Sequence, residues 1–226
     1  MIGTDKASLA LLASLVQVAY GDSLPPLTVS IPTFLTWSEF GVRETCGFIA
    51  QQPDGTVIVA FRGTDCYRCG LEDADIGMTT SPDFPGCRLH AGFLGVAESV
   101  QDSSGRSLPA ALLNLGANLP VTLTGHSLGG AVARIWAGKL DRPCVTFAEP
   151  RTGDTPWAAW SEAEGDLRLV NRLDLIPELP LWTPFTPDST CAGPATKAFP
   201  PLSLFDLDPL HNHRLATYQA IIAALP

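Results

Sequence analysis

A short β-branched run, Val121-Thr122-Leu123-Thr124, passes directly into Gly125-His126-Ser127-Leu128-Gly129-Gly130-Ala131, and a helical pattern continues to Leu140. This junction constrains the fold more than any other feature of the chain. A strand that turns into a helix at a single residue leaves no room for β-carbons at the crossing, so the glycines flanking the serine have a steric reason to be there. The serine then sits on a strained turn, its Oγ clear of the C-terminal edge of a sheet. It stands above a helix N-terminus, whose dipole favours developing negative charge. A glycine-rich turn around a bystander serine would require none of this agreement between strand, glycines and helix.

The flanking sequence supplies further layers. Gly47 to Gln51 and Thr56 to Arg62 read as two strands joined by the turn Pro53-Asp54-Gly55, where glycine offers positive φ. His90 to Leu119 reads as mostly helical with a break at Ser103 to Arg106. Cys144 to Phe147 and Leu167 to Val170 read as short strands with a Trp-bearing helical segment between them, and a helix from Arg214 to Leu225 closes the pattern. Strands interleaved with helices imply an α/β fold with a largely parallel sheet covered on both faces. At 226 residues and 46% hydrophobic, the chain can bury one such core, and 1–226 is taken as one domain. Leu179 to Pro209, dense in proline, is expected to be a long irregular excursion.

Ala7 to Tyr20 is apolar but shorter than the ~20 residues that cross a bilayer. Asp5 stands where a signal peptide would carry basic residues, Ala19-Tyr20-Gly21 is a poor cleavage site, and Leu9, Leu12, Val16 and Tyr20 recur at helical spacing. The segment is expected to be the first amphipathic helix of the fold, which favours a cytoplasmic location slightly and leaves secretion open. The formal net charge of −9 disfavours attraction to nucleic acid or to anionic membrane surfaces.

A serine hydroxyl attacks a carbonyl only when a histidine takes its proton and a carboxylate fixes that histidine's tautomer. On this architecture the partners follow the serine in the order acid, then base. The histidines downstream are His211 and His213. Asp174 follows the Leu167 to Val170 strand in a strand-end loop on the catalytic edge. Asp154, Asp166, Asp188, Asp206 and Asp208 compete with it, most of them reading as solvated loop carboxylates. Donors for the oxyanion are expected from the N–H of Leu128 and from Thr64, at the end of Phe61-Arg62-Gly63-Thr64. Such chemistry requires no cofactor.

No metal site is expected. Cys66 and Cys69 form a C-x-x-C without a second pair or a histidine at finger spacing, and Glu72-Asp73-Ala74-Asp75 lacks the calcium-loop spacing. Of the six cysteines, Cys144 reads as a buried thiol; Cys66, Cys69 and Cys87 read as a loop staple or as reduced thiols.

Taken in order, several blocks resemble the class 3 lipase family of fungal triacylglycerol lipases, feruloyl esterases and plant acyl hydrolases. They are Ala60-Phe61-Arg62-Gly63-Thr64, His90-Ala91-Gly92-Phe93, the Gly125 to Ala131 run, Thr146-Phe147-Ala148-Glu149-Pro150-Arg151-Thr152-Gly153-Asp154, Asn171-Arg172-Leu173-Asp174-Leu175-Ile176-Pro177, and His213 followed by Tyr218. The resemblance implies an α/β-hydrolase fold and a serine hydrolase of carboxylic esters, acting on acylglycerols or similar lipid or small-molecule esters, at a lipid–water interface in many relatives. It implies Ser127, Asp174 and His213 as the triad and Thr64 with Leu128 as the oxyanion hole. The five-residue step to Tyr218 selects His213 over His211. His90 and Arg62, with His126 beside the serine, are candidates to support the site through hydrogen bonds. Two departures from the family pattern favour small or partly soluble esters: a polar, cysteine-bearing segment at Asp65 to Asp73, and Glu149, which would place an acid near the acyl pocket.

Two rival readings exist. Gly21-Asp22-Ser23-Leu24 with Asp208-Pro209-Leu210-His211 spells a GDSL-type hydrolase using Ser23, Asp208 and His211, although the segment before Ser23 reads as a helix where that class needs a strand. A non-catalytic binding module on the same fold is the other, opposed by the intact set of serine, acid, base and donors.

Overall fold

The computed structural model describes residues 5–21, 29–39, 41–64, 77–163, 166–180, 196–199 and 209–225. In chain order these form α1 (Lys6–Ala19), β1 (Ser30–Glu39), β2 (Val42–Gln51), β3 (Val57–Phe61), β4 (Met78–Thr80), β5 (Arg88–His90), α2 (Ala91–Glu98), β6 (Gln101–Asp102), α3 (Leu108–Leu115), β7 (Val121–His126), α4 (Leu128–Leu140), β8 (Cys144–Phe147) and α5 (Thr155–Ala163). Then follow β9 (Leu167–Asn171), a 3-10 turn at Ile176–Glu178, β10 (Thr196–Phe199), α6 (Pro209–His213) and α7 (Leu215–Ala223).

The main sheet runs β10-β9-β8-β7-β3-β2-β1-β6. Strands β10, β9, β8, β7 and β3 are mutually parallel, and β2, β1 and β6 extend the sheet antiparallel at one end. The two-residue periodicity of a strand divides each central strand between two cores. Val57, Val59 and Phe61 of β3 join Leu123 of β7 and Ile135 of α4 in one. Ile58 and Ala60 join Leu9, Leu12 and Val16 of α1 and Tyr218 of α7 in the other. Burial on both faces explains why β3 reads as an unbroken apolar run.

Helix α1 is part of this packing. Asp5 caps it, its side chain accepting from the Ser8 N–H at 3.0 Å, and Lys6 Nζ donates to the Leu225 carbonyl at 2.6 Å beyond the end of α7. At Pro53-Asp54-Gly55 the expected turn forms, with Gly55 at φ 87° and the Asp54 carboxylate receiving the Thr56 N–H. Strand β1 was not legible. Its pairing to β2 skips from Ser30 to Thr33 across Ile31 and Pro32, so proline disrupts the alternation where a bulge tolerates its missing donor. The proline-rich stretch is also not wholly irregular, since Thr196–Phe199 pairs in parallel with β9. Residues 181–195 and 200–208 lie outside the described set.

Candidate active site

The site forms where β7 ends. Ser127 adopts φ 55° and ψ −128°, a positive-φ conformation that a side-chain-bearing residue keeps only when its surroundings enforce it. Its N–H donates to the Phe147 carbonyl at 3.0 Å, fastening the turn to β8. A β-carbon on Gly125 would lie 2.1 Å from the Gly129 carbonyl oxygen, and one on Gly129 would lie 2.1 Å from that of Arg62. Both obstacles are backbone, so neither can step aside. The glycines let the helix fold back over its own strand and let the end of β3 press against the turn.

Three side chains far apart in sequence meet here. Ser127 Oγ lies 2.9 Å from His213 Nε2. His213 Nδ1 lies 2.9 and 3.1 Å from the two Asp174 carboxylate oxygens. All three residues are buried, at 7%, 6% and 2% exposure respectively. An ionised carboxylate only accepts, so Nδ1 carries the hydrogen and Nε2 presents a lone pair to the serine hydroxyl.

Around this series each member is held by groups of its own. Asp174 Oδ1 accepts the Ile176 N–H, and Oδ2 accepts the Tyr218 hydroxyl at 2.8 Å. Burial foremost, reinforced by the Asp174 charge, raises the Tyr218 pKa well above the ordinary phenol value, keeping it a donor. Asn171 Nδ2 donates to both the carbonyl and the side-chain oxygen of Asn212, joining the end of β9, ahead of Asp174, to the residue before His213. His126 Nε2 lies 2.7 Å from the His213 carbonyl, and its Nδ1 lies 2.8 Å from the Tyr20 hydroxyl. Burial first, then the neighbouring His213, holds the His126 pKa well below the ordinary imidazole value. Tyr20, Asn171 and Asn212 went unrecognised as site residues in the sequence; the neighbour of a recognised acid or base was the signal available for the two asparagines.

Leu128 opens α4, the position from which its N–H follows the serine. Thr64 follows β3, and the preceding Gly63 packs so closely that a β-carbon would lie 2.9 Å from Ser127 Cβ. Arg62 fixes this strand end: Nε donates to the Thr45 carbonyl, Nη1 to the Gly63 carbonyl, and Nη2 pairs with Glu44 at 2.8 Å. Glu39 is buried nearby. Desolvation pushes its carboxyl up to about 7; proximity to Glu44 adds to this, and the Thr64 hydroxyl and Arg62 oppose it. His90 caps α2 through Nδ1, stacks on Phe93 with centroids 4.0 Å apart, and donates its own N–H to the Thr152 carbonyl. It thereby braces the neighbouring segment.

Glu149 requires a correction. It is fully buried beneath the site, its carboxylate paired with Arg134 at 2.9 Å and accepting the Thr146 and Thr152 hydroxyls. It therefore does not acidify an acyl pocket. Two of the competing aspartates are likewise not solvated: Asp154 pairs with Arg88, and Asp166 pairs with Arg134 at 2.6 Å, both nearly buried. Burial works against the Arg134 charge, but Glu149 and Asp166 outweigh it and hold its pKa above the ordinary guanidinium value. Cys46 and Cys87 carry buried thiols, and Cys144 is buried as expected. Ser23, the 65–76 segment with Cys66 and Cys69, Cys191, Asp188, Asp206 and Asp208 lie outside the described residues. What precedes Ser23 is helix α1, where the GDSL-type reading needs a strand. His211 is exposed on α6.

A family model for lipase (class 3) matches residues 58–183. A secreted mono- and diacylglycerol lipase A of Penicillium cyclopium is 29% identical over 153 residues, covering 64% of this chain and 50% of the relative. A lipase of Rhizomucor miehei is 30% identical over 169 residues, covering 68% of this chain and 45% of the relative. Among solved structures, the Rhizomucor miehei triacylglyceride lipase aligns with a TM-score of 0.69 at 23% identity, covering 87% of this chain and 80% of that one. At that identity the likeness speaks to the α/β-hydrolase fold. The chain spans about half the length of the curated relatives it matches. The secreted relative gives the cytoplasmic expectation no support. Among the described residues, no helix is long and apolar enough to cross a membrane.

Proposed function

The chain belongs to the class 3 lipase family, and we propose that it hydrolyses carboxylic esters through Ser127, His213 and Asp174. The observation that carries this reading is the unbroken series Asp174, His213 Nδ1, His213 Nε2, Ser127 Oγ, with the serine held at positive φ on a strand-to-helix turn. His213 takes the Ser127 proton as Oγ bonds to the ester carbonyl carbon. The Leu128 N–H and Thr64 stabilise the oxyanion, and Asp174 stabilises the imidazolium. Collapse of the tetrahedral intermediate expels the alcohol, which leaves with the proton from His213. Water, deprotonated by the same histidine, then attacks the acyl-enzyme and releases the acid. The cycle balances without a cofactor.

For the substrate we infer acylglycerols or similar lipid esters, by analogy with the mono- and diacylglycerol lipase among the relatives. With Glu149 paired inside the core, the preference for smaller esters rests on the polar 65–73 segment alone.

Ser127→Ala tests the chemistry. The variant is expected to fold and to lose turnover on p-nitrophenyl esters by on the order of 10⁴-fold or more; near-wild-type rates in folded Ser127→Ala would end the proposal. A chain-length series of the same esters, measured below and above their solubility limits, tests the substrate. Activity concentrated on short, dissolved esters, with no rise at the limit, would remove the lipid assignment.

A further inference from the structure

We propose that Tyr20 is a positioning residue for this site, through which helix α1 sets both the oxyanion strand end and the loop that carries the base. The inference rests on the ester-hydrolase reading above. It follows from a hydrogen-bond chain whose direction is fixed at every link.

A backbone carbonyl can only accept, so the 2.7 Å contact between His126 Nε2 and the His213 carbonyl places the hydrogen on Nε2. His126 is enclosed by the core and lies beside His213, ring centroids 4.7 Å apart, so both surroundings favour the neutral imidazole. A neutral imidazole carrying its hydrogen on Nε2 offers a lone pair at Nδ1. The Tyr20 hydroxyl, 2.8 Å away, must therefore donate to it. The phenolic oxygen is left to accept, and it receives the Gly63 N–H at 2.7 Å. The chain thus runs from Gly63 N–H to Tyr20, from Tyr20 to His126, and from His126 to the backbone of His213.

Its two ends matter for catalysis. Gly63 immediately precedes Thr64, the second oxyanion donor, and His213 is the base. Tyr20 thereby spans the two halves of the site on either side of Ser127. Its oxygen occupies the space a side chain on residue 63 would need, since a β-carbon there would fall 2.5 Å from it. Tyr20 is the C-terminal cap of α1, whose Leu9, Leu12, Leu15 and Val16 are wholly buried against the sheet and α7. The seating of that helix fixes where the hydroxyl sits. A neutral His126 also suits the reaction, because a second cation beside His213 would oppose the imidazolium that forms there.

The test uses the full chain. Tyr20→Phe keeps the ring and removes the oxygen, leaving the Gly63 N–H and His126 Nδ1 to lose this partner together. On a dissolved short-chain p-nitrophenyl ester, kcat is expected to fall about 10- to 100-fold with KM within about threefold, as for loss of geometry felt only in the transition state. Leu108→Ala, in the buried face of α3 and in the other core, is the control. It should lower Tm at least as far while leaving kcat of the folded protein within about twofold. In the wild type, ¹⁵N-histidine NMR should show His126 protonated on Nε2 alone and not titrating from pH 5 to about 8.5.

The positioning role is overturned by kcat of Tyr20→Phe within about threefold of wild type, by an equal kcat loss in Leu108→Ala, or by His126 protonated on Nδ1 or titrating near its ordinary pKa of about 6.5. The NMR measurement needs no variant and holds should Tyr20→Phe fail to fold. Labelling of wild-type Ser127 by a fluorophosphonate separates the two readings: no labelling sinks the hydrolase assignment, whereas a labelled wild type with undiminished Tyr20→Phe sinks only this one.

Discussion

Asp174→Asn changes one atom type and should disable the base while leaving the fold standing. The carboxylate accepts from three groups: His213 Nδ1, within 3.1 Å of both oxygens; the Tyr218 hydroxyl, 2.8 Å from Oδ2; and the Ile176 N–H, 3.0 Å from Oδ1. An amide has one oxygen and two hydrogens to offer at the same positions. If its oxygen stays with Ile176, its NH₂ faces the Tyr218 hydroxyl and His213 Nδ1. His213 must then become the acceptor at Nδ1, move its hydrogen to Nε2, and lose the lone pair that faces Ser127. If the amide turns over, its NH₂ opposes the Ile176 N–H. The first orientation strands the Tyr218 O–H without its acceptor and the second sets NH₂ against the Ile176 N–H, in either case a stability loss of about 1–3 kcal/mol. The tautomer change should lower kcat by about 10³- to 10⁴-fold, or about 4–5.5 kcal/mol of transition-state stabilisation at 1.36 kcal/mol per decade. The assay is kcat per mole of folded protein on a soluble ester, with a thermal melt in parallel. Tyr218→Phe provides the contrast: it removes one donor and leaves the tautomer alone, so kcat should fall by less than about tenfold. A loss below tenfold in well-folded Asp174→Asn would refute the assignment of the acid and the tautomer reasoning with it.

Arg134→Met strands two buried carboxylates, Glu149 and Asp166, and should cost about 3–5 kcal/mol in urea unfolding at neutral pH; a loss under about 1 kcal/mol would mean the network is not held by its central charge. Gly129→Ala drives a β-carbon to 2.1 Å from the Arg62 carbonyl oxygen, so the turn must open at a stability cost of roughly 3 kcal/mol or more, with turnover falling too. Wild-type kcat and Tm in that variant would contradict the contact. Burial raises the Glu39 pKa to about 7 from 4.5, so its ionised form weakens the folded state. That penalty is absent below about pH 4.5, grows as the pH rises toward 7, and is complete above it. Glu39→Gln, neutral throughout, should match the wild type near pH 4.5 and exceed its stability by roughly 1–2 kcal/mol at pH 8; an offset independent of pH would refute the titration.

The sequence was most legible where chemistry and chain geometry demand the same residues. Gly125 and Gly129 are required by backbone contacts that no side chain can relieve, and Ser127 by the turn they permit, so one short run carries strand, turn, helix and nucleophile together. The meeting of Asp174 and His213 with Ser127 was legible for a narrower reason: on such a fold the proposed acid and base follow the serine in that order, and few candidates followed. Glu149 was misplaced because a family pattern gives a residue's place in the chain and not its partner. The chain turns at Ala148, φ 53°, just past the end of β8, and the Glu149 carboxylate lies against Arg134 and the Thr146 and Thr152 hydroxyls.

The hydrogen bonds that hold the site together were hidden for a different physical reason. Tyr20 and Tyr218 belong to the first and last helices of the described fold, and their hydrogen bonds reach 106 and 44 residues along the chain, to His126 and Asp174. To a periodicity argument each is an apolar helix position, since its ring does pack in the core. What distinguishes them is a single oxygen at the far end of the ring, and its partner is set by how two helices settle on a sheet. A core position would accept phenylalanine at either place; the hydroxyl is what the site adds. Reaching His213 through different partners, the two phenols determine its surroundings differently, Tyr218 through Asp174, which holds Nδ1, and Tyr20 through His126, which holds the His213 carbonyl. Removal of each hydroxyl should therefore be distinguishable in kind. Loss of the Tyr20 oxygen should move the His126 Nδ1 resonance and lower kcat about 10- to 100-fold, whereas loss of the Tyr218 oxygen, which acts on Asp174, should leave that resonance in place and lower kcat by less than about tenfold; the same response from both variants would mean that they support the site only as packing.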